Sequence, residues 1–225
     1  MSVFAYGEAV RHLEQALKIQ DVLDPDDKAK RCDLLLALGE AMLPMESPER
    51  VADTVAEEAL GLAEALGDSP RAARVAVQAL EAISRSNISG EAQLTVVRSP
   101  EFREWVGRAD RHAQEGSAER VYADLSQSGY VQNLPGPAGG PAAGHVFRRR
   151  AVGLAFELED PAPFFSAAAL CLNGMTSLRD RELIDRVVRE VLRRPHEGVR
   201  SRVRSFGVCA LLRCGFWRGH DLSSR

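Results

Sequence analysis

The strongest constraint in this sequence is a recurring mark, a small polar residue followed by proline, with apolar positions at helical spacing between the marks. It stands at Asp24-Pro25, Ser47-Pro48, Ser69-Pro70, Ser99-Pro100 and Asp160-Pro161. An Asp or Ser at a helix N-cap accepts a backbone N–H that the helix start leaves open, and proline at the first helical position loses nothing by lacking its own N–H. Each mark therefore predicts a helix start. The first three lie 23 and 22 residues apart. That is room for one helix and one turn, so two steps make a unit of about 45 residues. Ser177, Leu178, Arg179 and Asp180 predict one more start, of the capping-box kind.

Apolar residues between the marks keep the 3.6-residue period. Tyr6, Ala9, Val10, Leu13, Ala16, Leu17 and Ile19 share one face, as do Leu34, Leu35, Leu38, Ala41 and Met42. Val51, Val55, Ala59, Leu62 and Leu66 form a third stripe, and Ala72, Val75, Ala76, Ala79, Leu80 and Ile83 a fourth. Further helices are expected near 101–113, 117–128, 144–158, 162–173, 178–193 and 198–213. The short run Leu94-Thr95-Val96-Val97 is the one β-like stretch, and it is read as part of a loop between Ser84 and Ser99. Aromatic residues make up 6% of the chain and apolar residues 45%, which suits helices with Ala and Leu seams better than a β-sandwich. The fold class expected is all-α, about ten helices in antiparallel pairs.

The chain also repeats itself. Ala59 to Asp68 matches Ala151 to Asp160 at six of ten positions, 92 residues on, and Ala16 to Leu23 matches Ala59 to Leu66 more weakly, 43 residues on. A two-helix unit near 43 residues is the mark of an α-solenoid, in which each unit is held by its neighbours. Leu134 to Gly144 has seven Gly or Pro in eleven residues. It is read as a flexible loop that divides a helical block at 1–133 from a second at 145–215, with a disordered tail at 216–225.

Within that frame, Ala9, Leu13 and Ala16 resemble the second helix of a tetratricopeptide repeat. Leu35, Leu38, Gly39 and Met42 stand where its first helix places a large residue, a Leu, a Gly and an aromatic. The likeness is best from Tyr6 to about Ile83. Arg31 to Glu40, Ala63 to Asp68 and Glu119 to Leu125 resemble the helical-repeat half of large bacterial signalling regulators. In those proteins an ATPase module precedes tetratricopeptide-like repeats, and a cyclase or LuxR-type DNA-binding domain lies elsewhere. The resemblance implies a bacterial, cytoplasmic, non-catalytic interaction or sensor scaffold. Its expected partners are a protein, a peptide, or a neighbouring ATPase or effector domain. The apolar ends, Phe4, Phe216 and Trp217, suggest a fragment of such a regulator, because a free-standing array needs polar caps.

No residue pattern here carries chemistry. The Gly-rich loop lacks the lysine followed by Ser or Thr that a phosphate-cradling loop needs, and Gly-x-Ser-x-Gly is absent. His12, His112, His145, His196 and His220 are scattered. Cys32, Cys171, Cys209 and Cys214 form no Cys-x-x-Cys, so neither a cofactor nor a metal is expected. Carboxylate pairs such as Asp26-Asp27 and Glu57-Glu58 fit helix first turns. The absence of a long apolar run excludes a membrane span, and Met1 to Tyr6 lacks the basic start of a signal peptide. Charge is uneven, with twelve arginines and six acids from Arg179 to Arg225 in a chain of net charge −3. Arg148-Arg149-Arg150 and the set Arg200, Arg202 and Arg204 are the strongest basic features. The basic C-terminal region, with Arg200, Arg202 and Arg204, carries the alternative reading, a nucleic-acid-associated helical module.

The repeat pattern places a binding groove on its first helices. Its predicted lining is Asp33, Leu36 and Glu40 in one unit, then Arg74, Val77 and Glu81 at offset 41. Ser166, Ala169 and Asn173 follow a further 92 residues on.

Overall fold

Helix caps organise this chain, though not always where the polar-proline marks place them. Ser99 caps the helix Pro100–His112, its hydroxyl accepting from Phe102 N at 3.0 Å. Asp160 does the same work for Pro161–Gly174, accepting from Ala162 N at 2.9 Å. At the other two marks the cap shifts. Asp68, not Ser69, accepts from Arg71 N at 3.0 Å. Asp24 instead closes the preceding helix, its N–H bonded to Gln20 O at 2.9 Å, and Asp27 accepts from Lys30 N at 2.9 Å to start the next. Ser47 and Pro48 lie outside the described residues, as does Ser177. The computed structural model describes residues 3–45, 50–85, 90–174, 180–195, 197, 199 and 201–218.

All eleven regular elements among them are helices. They form two compact units, Met1–Glu115 and Gly116–Arg225. The first unit holds α1 (Val3–Leu23), α2 (Lys28–Met42), α3, α4 (Ser69–Arg85), α5 (Gly90–Val97) and α6 (Pro100–His112). Helix α3 opens as a π-helical turn, Val51–Ala56, and continues as α-helix over Glu57–Ala65. The second unit holds α7 (Ala118–Gln132), α8 (Pro141–Glu157), α9 (Pro161–Gly174), α10 (Arg181–Arg193) and α11 (Ser201–Arg218). The run Leu94 to Val97, read as a loop, is helical in α5. With no neighbouring strand among the described residues, only a helix satisfies its backbone internally.

In the first unit α4 is central. It packs on α2, α3, α5 and α6. Ala72, Ala73, Val75, Ala76, Ala79, Leu80, Ala82 and Ile83 are all buried, so it is apolar around most of its circumference. The predicted stripe on α4 is entirely in the core. The stripes on α1 and α3 run out early: Ile19 and Leu66 are exposed at their ends. In the second unit α9 takes the same part, packing on α7, α8, α10 and α11. Phe164 and Phe165 meet there edge to face, and Phe156 of α8 stacks obliquely on Phe164. Cys32 and Cys171 are buried as small apolar residues.

The repeated decapeptide has the same local structure twice. Ala59 and Ala63 are buried near the end of α3, Ala151 and Ala155 near the end of α8. Each copy ends in an aspartate that caps the next helix, Asp68 for α4 and Asp160 for α9. The Gly/Pro-rich stretch 134–144, read as a divider, lies inside the second unit, where it turns α7 into α8. Over 134–140 it is a closed turn, with Leu134 N and Gly140 N both donating to Val131 O at 3.3 Å, while 141–144, read as loop, already belong to α8. Gly136 and Gly140 hold φ of +79° and +104°, a region L side chains avoid. Residues 216–218, placed by the sequence in a disordered tail, belong to α11, and 219–225 lie outside the described residues.

Candidate interaction surface

The predicted groove residues of the first unit lie along the seam between α2 and α4. Three side chains of α4 tie that seam. Arg71 donates to both oxygens of Asp33, at 2.8 and 2.9 Å, and also to Asp68. Its guanidinium holds the Asp33 carboxyl below the usual range, with the charge of Arg74 adding to the effect. Gln78, buried, donates from Nε2 to Leu36 O at 2.9 Å. Arg85 donates to Leu43 O at 3.0 Å while its other nitrogens hold Glu81 at 2.7 and 3.2 Å.

These bonds join residues 38, 42 and 42 apart in sequence. The two helices therefore lie side by side at a nearly constant offset, close to the 41 residues inferred from the repeat. Gly39 makes the approach possible. A Cβ there would stand 2.7 Å from Cδ of Gln78.

Beside the seam, Asp33, Glu40 and Arg74 are exposed, and Val77 and Glu81 are half-buried. Leu36 differs from expectation: at 5% exposure it belongs to the core, and it offers only its carbonyl to Gln78. A helical face is about 100° wide, and position 36 rotates just past its edge. Ser166, Ala169 and Asn173 belong to α9 in the second unit. Ala169 is buried, while Ser166 Oγ donates to Ala162 O at 3.0 Å and Asn173 Nδ2 to Ala169 O at 2.9 Å. Both polar side chains thus turn back on their own helix. The sequence pattern missed Arg71, Gln78 and Arg85. Gln78 falls inside an apolar stripe and gives no periodic signal, whereas Glu81 and Arg85 show the i,i+4 pairing that could have marked a helix end.

The arginine triplet has a different place from the one its charge suggests. Consecutive helical positions point about 100° apart, so the three side chains of α8 diverge. Arg150 meets Asp124 of α7, which is 0% exposed and also accepts from Arg120 at 2.9 and 3.0 Å. Arg149 reaches Asp180 at 2.9 Å, and His145 Nε2 lies 2.7 Å from the same buried carboxylate. Asp180 thus joins α8 to the start of α10, where it stands at the N-cap without a side-chain cap bond, and the capping box expected with Ser177 lies outside the described residues. Arg148 is buried, donating to Ser128 Oγ at 3.3 Å and Gln132 Oε1 at 2.6 Å. Burial pushes its guanidinium below the usual range. It lies against Gly174, the last residue of α9, where a Cβ would fall 2.7 Å from its Cζ.

Arginine thus sits repeatedly at helix C-termini, where the carbonyl ends carry partial negative charge. Arg85 takes that place on α2 and Arg148 on α9. Arg194 takes it on α8, donating to Phe156 O at 2.8 Å and Leu158 O at 3.2 Å while stacked on Phe164.

Of the other sequence candidates, His12 is exposed on α1, and His112 lies 3.1 Å from Glu64 within the first unit. His196 and His220 lie outside the described residues, as does Arg200, while Arg204 is exposed on α11. Among the described residues, no group of three or more His, Cys, Asp or Glu stands together as a metal would require. No described helix is long and apolar enough to cross a membrane. Among the described residues the fold is all-α. No family model matches the chain, and comparison with curated proteins and with solved structures finds no match.

Proposed function

We propose that this chain is a non-catalytic protein-interaction scaffold, a tetratricopeptide-like α-solenoid whose first helices present the binding face. The observation that carries the reading is the α2–α4 seam. Its bonds at offsets of 38 to 42 residues leave Asp33, Glu40 and Arg74 exposed around the half-buried Val77. Next-but-one packing supports the stacked arrangement, α2 on α4 and α4 on α6 in one unit, α7 on α9 and α9 on α11 in the other. Each first helix of a solenoid packs in this way on the first helix of the next unit. The partner is a peptide or protein segment of mixed charge with an apolar centre. In the fuller form of this proposal the chain is the repeat region of an ATPase-coupled bacterial signalling or transcription regulator, acting in the cytoplasm. The alternative, a nucleic-acid-associated module using the basic C-terminal region, gains no support from the arginine triplet, because Arg149 and Arg150 already face buried carboxylates and Arg148 is itself buried.

Selection of a random 12-residue phage-displayed peptide library on the intact chain tests the proposal. Enriched peptides should lose about 10-fold or more in affinity to the Arg74→Glu variant, the size of one reversed interface charge. Failure to enrich any peptide, or enrichment indifferent to Arg74 and Glu40, contradicts it. Hydrolysis of ATP by the purified chain would overturn the non-catalytic part.

A further inference from the structure

The second unit carries sixteen basic and eleven acidic residues. Arg120, Arg148, Arg149, Arg150 and Arg194 are engaged within the unit, as described above. Helix α10 carries four arginines and three acids, and three of those arginines stand on its outer side. Its inner side is apolar, with Ile184, Val187 and Val191 buried. Outward, Arg186, Arg189 and Arg193 follow at i, i+3 and i+7, a single stripe about 10 Å long.

Two of the three are held in place. Arg186 stacks on Phe156 with its guanidinium carbon 4.1 Å from the ring centroid. Arg193 is gripped by both oxygens of Glu190, at 2.9 and 2.7 Å. Arg189, between them, is exposed and makes no ion pair within 4 Å among the described residues. Leu192 lies in the same turn, 66% exposed. Glu182 is exposed at the N-terminal end of the stripe, with Asp185 half-buried beside it.

We infer that this face is a second docking surface, separate from the α2–α4 seam, for an acidic amphipathic helix of a partner protein. The pattern selects the partner. Pre-set guanidinium groups favour carboxylates or phosphates, and their spacing matches one face of a helix. Leu192 gives such a helix an apolar contact, whereas a phosphate backbone would leave it unmatched. Glu182 repels a uniform polyanion but suits a helix that runs antiparallel and ends in a basic residue. The complementary face thus reads acid, acid, acid, base at spacings of four, three and four, with an apolar residue beside the first acid.

The test is fluorescence anisotropy on the intact chain with three probes. One is a helix-forming 18-residue peptide of that pattern, one its scrambled counterpart, and one a 20-base-pair DNA duplex. The patterned peptide should bind about 10-fold or more tightly than either control, and weaken as salt rises. Arg189→Glu should reduce its affinity about 10-fold and Leu192→Ser a few-fold, with helical circular dichroism unchanged. Equal binding of the scrambled peptide, tighter binding of DNA, no binding at all, or indifference to Arg189→Glu would each overturn the inference.

Discussion

Replacing Gly39 by alanine probes the α2–α4 seam in a way ordinary helix physics would misjudge. In an exposed helix the change stabilises by about 0.8–1.0 kcal/mol, because alanine gives up less backbone entropy. At position 39 the new Cβ meets the Gln78 amide, 2.7 Å from its Cδ and 3.0 Å from its Nε2. The amide must swing away and lose its bond to Leu36 O. Breaking that bond in a buried setting costs about 1–3 kcal/mol. Gly39→Ala should therefore destabilise the first unit by up to about 2 kcal/mol, the remainder after the helix gain. In a Gln78→Ala background the obstruction is gone, and the same change should stabilise by about 1 kcal/mol. The assay is a double-mutant cycle on the intact chain, by urea unfolding followed through helical circular dichroism. A coupling of about 1–3 kcal/mol and a reversal of sign are expected. Gly39→Ala stabilising equally in both backgrounds would refute the reasoning.

Other consequences concern the second unit. Asp124→Ala removes the buried carboxylate that Arg120 and Arg150 share, and should destabilise by about 3–5 kcal/mol, measured by thermal or urea unfolding. Phe164→Ala removes a fully buried ring and the platform under Arg194, and should lower stability by about 3–5 kcal/mol. Hydrogen bonds from Arg193 and Arg194 pull the Glu190 carboxyl down to about 2 from an ordinary 4.5. A carboxyl depressed in the folded state adds stability that is present above pH 4.5 and lost as pH falls toward 2. Glu190→Gln should flatten that part of the stability–pH profile. An unchanged acid limb would contradict the assignment.

Helix content, the 3.6-residue stripes and the offset between α2 and α4 could be read from the sequence because they are local or periodic. The Pro-marked starts were less secure. Asp24 and Ser69 satisfy the same local rule as Ser99, yet the structure caps at Asp27 and Asp68, because an aspartate close by can serve equally. Leu94 to Val97 shows the limit of β-propensity, since β-branched residues adopt a helix where no strand is available. The arginine triplet shows a different limit. Composition makes it a surface patch, and only the tertiary arrangement brings Asp124 and Asp180 beneath it. Gln78 gave no signal at all, because its partner is a backbone carbonyl 42 residues away.

In the proposed function the α2–α4 face binds the partner. The most direct test is amide NMR mapping of the intact chain with a selected peptide. Shift changes should concentrate at 33–40 and 74–81 and be abolished by Arg74→Glu. Changes centred elsewhere, or surviving that substitution, would contradict it.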